Sequence, residues 1–240
     1  MTWYAKPSGA YSLSSVEGRS NLFEIANILS GFTDEAISGV LGNVQAESGF
    51  NPWRWQGDRY GTSRGYGLYQ YTPASDYLAL SGATPNLSVS QQTTGATASD
   101  GAFQTHVFRN NTLGKWVSTC WRSYWNDGNG QPLYPALYQE RARILNTWGN
   151  GSSISLSQFS QITSIYDATF VFLACFEGPL VPNLTTRVGN ADNCYRVLTG
   201  EEPPTPPEPP PEPPTPIQID TKLLLCLIHK KRVVPSWHVC

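Results

Sequence analysis

One carboxylate, Glu47, stands in the stretch GNVQAESGFNPWRW at residues 42–55, between an apolar helical stripe and the indoles of Trp53 and Trp55. Ile37, Val40, Leu41 and Val44 precede it at helical spacing, so a 3.6-residue period turns Glu47 toward the same interior face. Gly49 suits the helix C-cap, which puts Glu47 in the last turn. Burial disfavours the anion, and so does the negative end of the helix dipole. A carboxyl kept protonated this way is suited to general-acid work, such as giving a proton to the oxygen of a breaking glycosidic bond. A glutamate that swings out to water at a frayed helix end is the competing reading.

Cleavage by a carboxyl pair needs a second acid, roughly 5–9.5 Å from the first depending on stereochemistry. Asp58, eleven residues after Glu47 among Gln, Gly, Arg and Tyr, lies in a segment expected to be solvated and is the preferred base. Asp76 follows a Thr-Pro turn and reads as a helix cap. Glu177 follows Leu173 by four residues and Phe170 by seven, so it points inward from another helix end. A structural or site-lining role suits it, with an arginine such as Arg64 or Arg141 as the partner a buried carboxylate requires. If none of these serves, the sugar's own 6-hydroxyl is the nucleophile, and both outcomes stay open.

These groups must be positioned by helices. Apolar periodicity predicts them over 20–30, 33–48, 135–148, 156–177 and 185–198. Thr33 is the expected N-cap of the second, and Ser155 with Gln158 forms a capping-box pattern at the fourth. Residues 56–72 are rich in Gly and Tyr and suit a short hairpin or irregular lobe, while 81–102 read as a long surface loop. Residues 201–216, EEPPTPPEPPPEPPTP, form a polyproline spacer of about 50 Å. The expected division is an arm at 1–19, a folded domain at 20–200, the linker at 201–216 and a tail at 217–240 that anchors or docks.

Composition narrows the function classes. A net charge of −2 argues against nucleic-acid binding, and no run approaches the ~18 apolar residues of a membrane span. The N-terminus lacks the pattern of a signal peptide. Five cysteines at scattered spacing do not read as a disulfide framework, and Cys120, Cys175 and Cys194 are expected as small core residues. A Cys/His amidase would draw on Cys120 and His106 with Asp100 or Asp127, but Cys120 lies in a packed aromatic context. Cys226, His229, His238 and Cys240 are zinc-type ligands at an unfamiliar spacing, so no metal and no cofactor is expected.

The stretch GFTDEAISGVLGNVQAESGFNPWRW, then GYGLYQYTP at 65–73 and FLACFEGP at 172–179, resembles the phage tail lysozyme family. That family is similar in its core to goose-type lysozymes and lytic transglycosylases. The resemblance covers about residues 20–198 and implies an α+β, mostly helical, lysozyme-like fold with a small β lobe. It implies cleavage of the β-1,4 bond of peptidoglycan glycan, with Glu47 as the catalytic acid. Gln70 and the backbone around Gly65–Leu68 would line the saccharide cleft, with Trp53, Tyr66, Tyr71 and Glu177 beside them. Tyr71 stands where a tryptophan commonly follows the glutamine. The alternatives are a lytic transglycosylase and a non-catalytic wall-binding or structural tail protein. The implied setting is a phage tail, or a host cytoplasm with export through a holin. Other phage tail proteins would be partners through 217–240.

Overall fold

The computed structural model describes residues 3–81 and 100–201. The expected linker and tail lie outside those residues, apart from Glu201, as does nearly all of the expected loop. Eight α-helices occur among the described residues. They are α1 (Val16–Ile28), α2 (Asp34–Ser48), α3 (Ala74–Ser81), α4 (Gly101–Arg109), α5 (Pro135–Trp148), α6 (Leu156–Phe159), α7 (Ile165–Phe172) and α8 (Leu184–Thr199). None is long and apolar enough to cross a membrane.

α2 is the axis of the fold. It begins where expected, with the Thr33 hydroxyl accepting from Ala36 N at 3.1 Å, and ends at Gly49 with φ 55°. From Ala36 through Val44 it is buried without a break, as a helix enclosed on every side must be. α8 and α7 are its main neighbours. Gly42 permits the close crossing with α8, since a Cβ there would lie 2.6 Å from Ala191 N and from Arg187 O. Any side chain at Gly42 would push the two helices apart.

The expected single helix over 156–177 is broken. Ser155 and Gln158 do form their capping box, but α6 stops at Phe159. The Ser164 hydroxyl then accepts from Asp167 N and starts α7, so a local side-chain cap outcompetes continuation of the apolar stripe. α7 runs on as a π-helical turn, Leu173–Glu177, which ends at Gly178 with φ 56°. α4 begins inside the expected loop, because Asp100 Oδ1 accepts from Ala102 N and Phe103 N.

The expected hairpin at 56–72 appears as two isolated antiparallel bridges, Trp55 with Tyr66 and Tyr66 with Tyr71. The other two bridges among the described residues are also isolated. Cys120, Cys175 and Cys194 are core residues as expected, but Cys120 and Cys175 form a disulfide, which the spacing does not indicate. Backbone pairing of Val117 N with Cys175 O at 2.7 Å brings the two segments side by side. Cys194 is free and buried.

Candidate active site

Glu47 occupies the last turn of α2 with its side chain 20% exposed. Arg187, in the first turn of α8, is almost fully buried and donates Nη2 to Glu47 Oε1 at 2.5 Å. Its other donors are also committed, with Nη1 to Asn43 Oδ1 at 3.0 Å and Nε to Pro182 O at 3.2 Å. Asn43 is oriented in turn by its own donation to Gly39 O at 2.8 Å and Thr169 O at 3.2 Å. Asn43 and Glu47 are one helical turn apart, so the spacing Gly-Asn-x-x-x-Glu puts an amide and a carboxylate on one guanidinium. A planar, always-charged donor fixed at three points holds the carboxylate in one place. Burial and the helix end are legible at Glu47 in its own segment, whereas this cation is not.

Glu177 closes the π turn. The residue as a whole is partly exposed, yet its Oε1 is shut off from solvent and has no hydrogen-bond partner among the described residues. Burial, and then the charge of Glu47, push its carboxyl well above the usual carboxylate range, against the pull of Arg187 and Arg122. Glu47 and Glu177 therefore belong to one electrostatic unit. The arginines expected beside Glu177 are elsewhere. Arg64 donates to Gln56 O at 3.3 Å and Arg141 to Thr119 O at 2.6 Å.

A clasp holds the Glu177 segment. Arg122 donates to Ala174 O at 3.0 Å and Phe176 O at 2.8 Å. Trp125 Nε1 reaches Pro179 O at 2.8 Å, Tyr134 reaches Leu180 O at 3.0 Å, and the Tyr124 hydroxyl bonds Gly178 O. The disulfide ties the same two stretches. A Cβ at residue 178 would lie 2.4 Å from Arg122 Nε, so the Glu-Gly-Pro of the motif needs its glycine for space as well as for its left-handed φ.

The remaining expected site residues are distributed differently. Asp58 is exposed, with Oδ1 accepting from Gly9 N at 2.9 Å and lying 3.6 Å from Arg54 Nε, so its contacts are with the N-terminal arm and its own lobe. Gln70 spends its amide nitrogen on Gly67 O at 2.9 Å and Arg54 O at 3.2 Å, which shapes the loop. Trp53, Tyr66 and Tyr71 are 3%, 2% and 3% exposed. Expected as stacking surface for sugars, they are core residues instead, with Tyr71 stacked on Tyr77 at 4.9 Å and bonded to Gln104 O at 2.7 Å. Asp76 is in the first turn of α3 rather than a cap, 3.6 Å from Lys115 Nζ. Cys120 is locked in its disulfide, which removes the nucleophile of the amidase reading. The tail's cysteines and histidines lie outside the described residues.

A family model for phage tail lysozyme matches residues 22–198. The chain is also 30% identical over 193 residues to Morphogenesis protein 1 of Bacillus phage B103, covering 79% of this chain and 42% of that protein. It thus spans about two fifths of the relative's length.

Proposed function

The chain belongs to the phage tail lysozyme family, and from that premise we propose that it cleaves the β-1,4 glycosidic bond of bacterial peptidoglycan as a muramidase. Glu47 is the acid in this reading. Of the two coupled carboxyls it is the one hydrogen-bonded in place, by Arg187, and reached by solvent. A glycan laid over α2's C-terminal end would meet Glu47 first. In its protonated form Glu47 gives that proton to the leaving oxygen as the bond to the sugar's anomeric carbon breaks. Arg187 keeps it in line, and Glu177 adds a second carboxyl, which burial pushes toward its protonated form. The observation that carries this is the Asn43–Arg187–Glu47 arrangement with Glu177 coupled to it.

The lytic transglycosylase reading has an observation of its own. Asp58 is engaged with Gly9 and Arg54, and burial pushes Glu177 toward its protonated form. Neither is then offered as the base for a water, and attack by the sugar's 6-hydroxyl takes its place. Mass spectrometry of digested sacculi separates the two, since hydrolysis leaves a reducing end and cyclisation an anhydro-sugar. Retention of the acid with its built surroundings favours either enzyme over a non-catalytic wall-binding protein.

The lysozyme domain is assigned to 20–200, with 1–19 as an arm that reaches Asp58 through Gly9. The proline-rich segment 201–216 serves as a spacer and 217–240 as a docking segment for other tail proteins. A spacer suits an enzyme held on a virion and working outward to the wall during infection. The disulfide fits an oxidising place of action.

A further inference from the structure

A cavity of about 550 Å³ opens between the 119–132 segment and α5. Trp121, Asn126, Gln131, Tyr138 and Arg141 are among its lining residues, and none of Glu47, Asp58, Gln70 or Glu177 is. Its volume falls within the range of small-molecule sites. Trp121 stands edge-on to Tyr138 at 5.0 Å and to Trp125 at 5.2 Å, so an aromatic wall is fixed on one side. Trp121 Nε1 donates to Asn126 Oδ1 at 2.9 Å, which orients the Asn126 amide.

Arg141 is the sole ionised group of the lining. Its Nε is taken by Thr119 O at 2.6 Å, and its guanidinium carbon lies 5.5 Å from the centroid of the Tyr138 ring. The plane of the guanidinium is thus set, while its Nη edge meets no acceptor among the described residues. The nearby acids are committed to other partners. Glu140 pairs with Arg143 at 2.8 Å, and Asp127 Oδ1 accepts from Asn129 N and Gln131 N, each at 2.8 Å. The Gln131 side-chain amide has no hydrogen bond among the described residues either. A fixed, half-buried cation with one free donor edge matches a carboxylate in the two-point manner of arginine. The Asn126 and Gln131 amides at the same cavity match peptide groups.

We propose that this cavity is a second binding site, for a carboxylate borne on a short amide chain, namely the peptide stem of peptidoglycan. The choice of a wall stem over other peptides rests on the function proposed above; the carboxylate chemistry does not. Binding there would hold the substrate by its peptide while the glycan reaches Glu47.

The test titrates the full chain with a soluble stem peptide bearing a free terminal carboxylate, following the Trp121 indole N–H by NMR, assigned with Trp121→Phe. The same peptide with an amidated terminus and an unrelated acidic L-peptide are the comparison probes. The expected result is a shift of the Trp121 signal by the free acid, with binding about five- to ten-fold weaker for the amide and for Arg141→Gln. Gln131→Ala, which leaves the Arg141–Thr119 bond in place, is expected to weaken the same binding should Arg141→Gln misfold. Cleavage of glycan strands stripped of peptides is expected to be unchanged in both variants, so failure here is distinguishable from failure of the muramidase reading. Equal binding of acid and amide, equal binding by Arg141→Gln, or no binding at all overturns the site. Equal binding of the unrelated acidic peptide overturns its assignment to the stem.

Discussion

Arg187 Nη2 lies 2.5 Å from Glu47 Oε1, although the two residues are 140 positions apart and stand on different helices. The same guanidinium is bound to Asn43, one turn before Glu47. The Glu47 carboxyl is therefore placed by the packing of α8 on α2 as much as by its own helix.

Arg187→Lys should lower activity far more than it lowers expression. A lysine ammonium cannot reach Pro182 O, Asn43 and Glu47 together in one plane. Loss of a charge-assisted hydrogen bond at a mostly buried site costs about 1.5–3 kcal/mol. The expected readout is a thermal midpoint several degrees lower and a larger proportional loss in the rate on purified sacculi.

Glu177→Gln should leave stability intact at neutral pH and change how it varies with pH. The raised folded value means that the native state keeps this proton after the unfolded chain, near its ordinary 4.5, has lost it. In that window the unfolded state binds fewer protons, so this group's contribution falls as pH rises from about 4.5 toward the raised folded value. Glutamine keeps the shape without the titration. Wild type should lose denaturant resistance relative to the variant as pH rises from about 4.5 toward the raised folded value. A variant that loses more than wild type over that interval would contradict the assignment of a retained proton.

Reducing the Cys120–Cys175 bond, or replacing both residues by serine, should destabilise the domain by ~2–4 kcal/mol. The bond closes a separation of 55 residues and fastens the turn that carries Glu177. Thermal melts with and without reductant measure this, and activity should fall alongside because the Glu177 segment loosens.

α2 was readable from end to end because its signals are local, with the Thr33 cap, the apolar period and Gly49 all within one segment. The break after Phe159 was not, since Ile162 and Ile165 keep helical spacing across it while the Ser164 hydroxyl starts a new helix. α4 was hidden because Gln104 and Thr105 are polar yet buried, with Gln104 satisfied by Pro52 O at 2.7 Å and by Leu68 N at 2.7 Å. Glu47 stood out by its position, whereas Arg187 carried no local signal, its partners being 140 and 144 residues away. Residue type misled at Trp53, Tyr66 and Tyr71, because an aromatic side chain suits a core as well as a sugar site.

Gly42→Ala should weaken both fold and site. Its Cβ would meet the backbone of α8 at 2.6 Å, and overpacking of this kind costs about 1–3 kcal/mol. Because Arg187 stands on the displaced helix, activity on sacculi should fall at temperatures where circular dichroism still shows a folded protein.

If Glu47 delivers the proton that breaks the glycan strand, Glu47→Gln removes that proton while keeping the side chain's shape. Wild type and variant are incubated with the same purified sacculi, the soluble products identified by mass spectrometry, and thermal midpoints compared. Wild type should release glycan fragments ending in a reducing or an anhydro-sugar, and a variant that melts like wild type at least about 10²-fold less. Products cut only at peptide bonds, or release by Glu47→Gln at the wild-type rate, would contradict it.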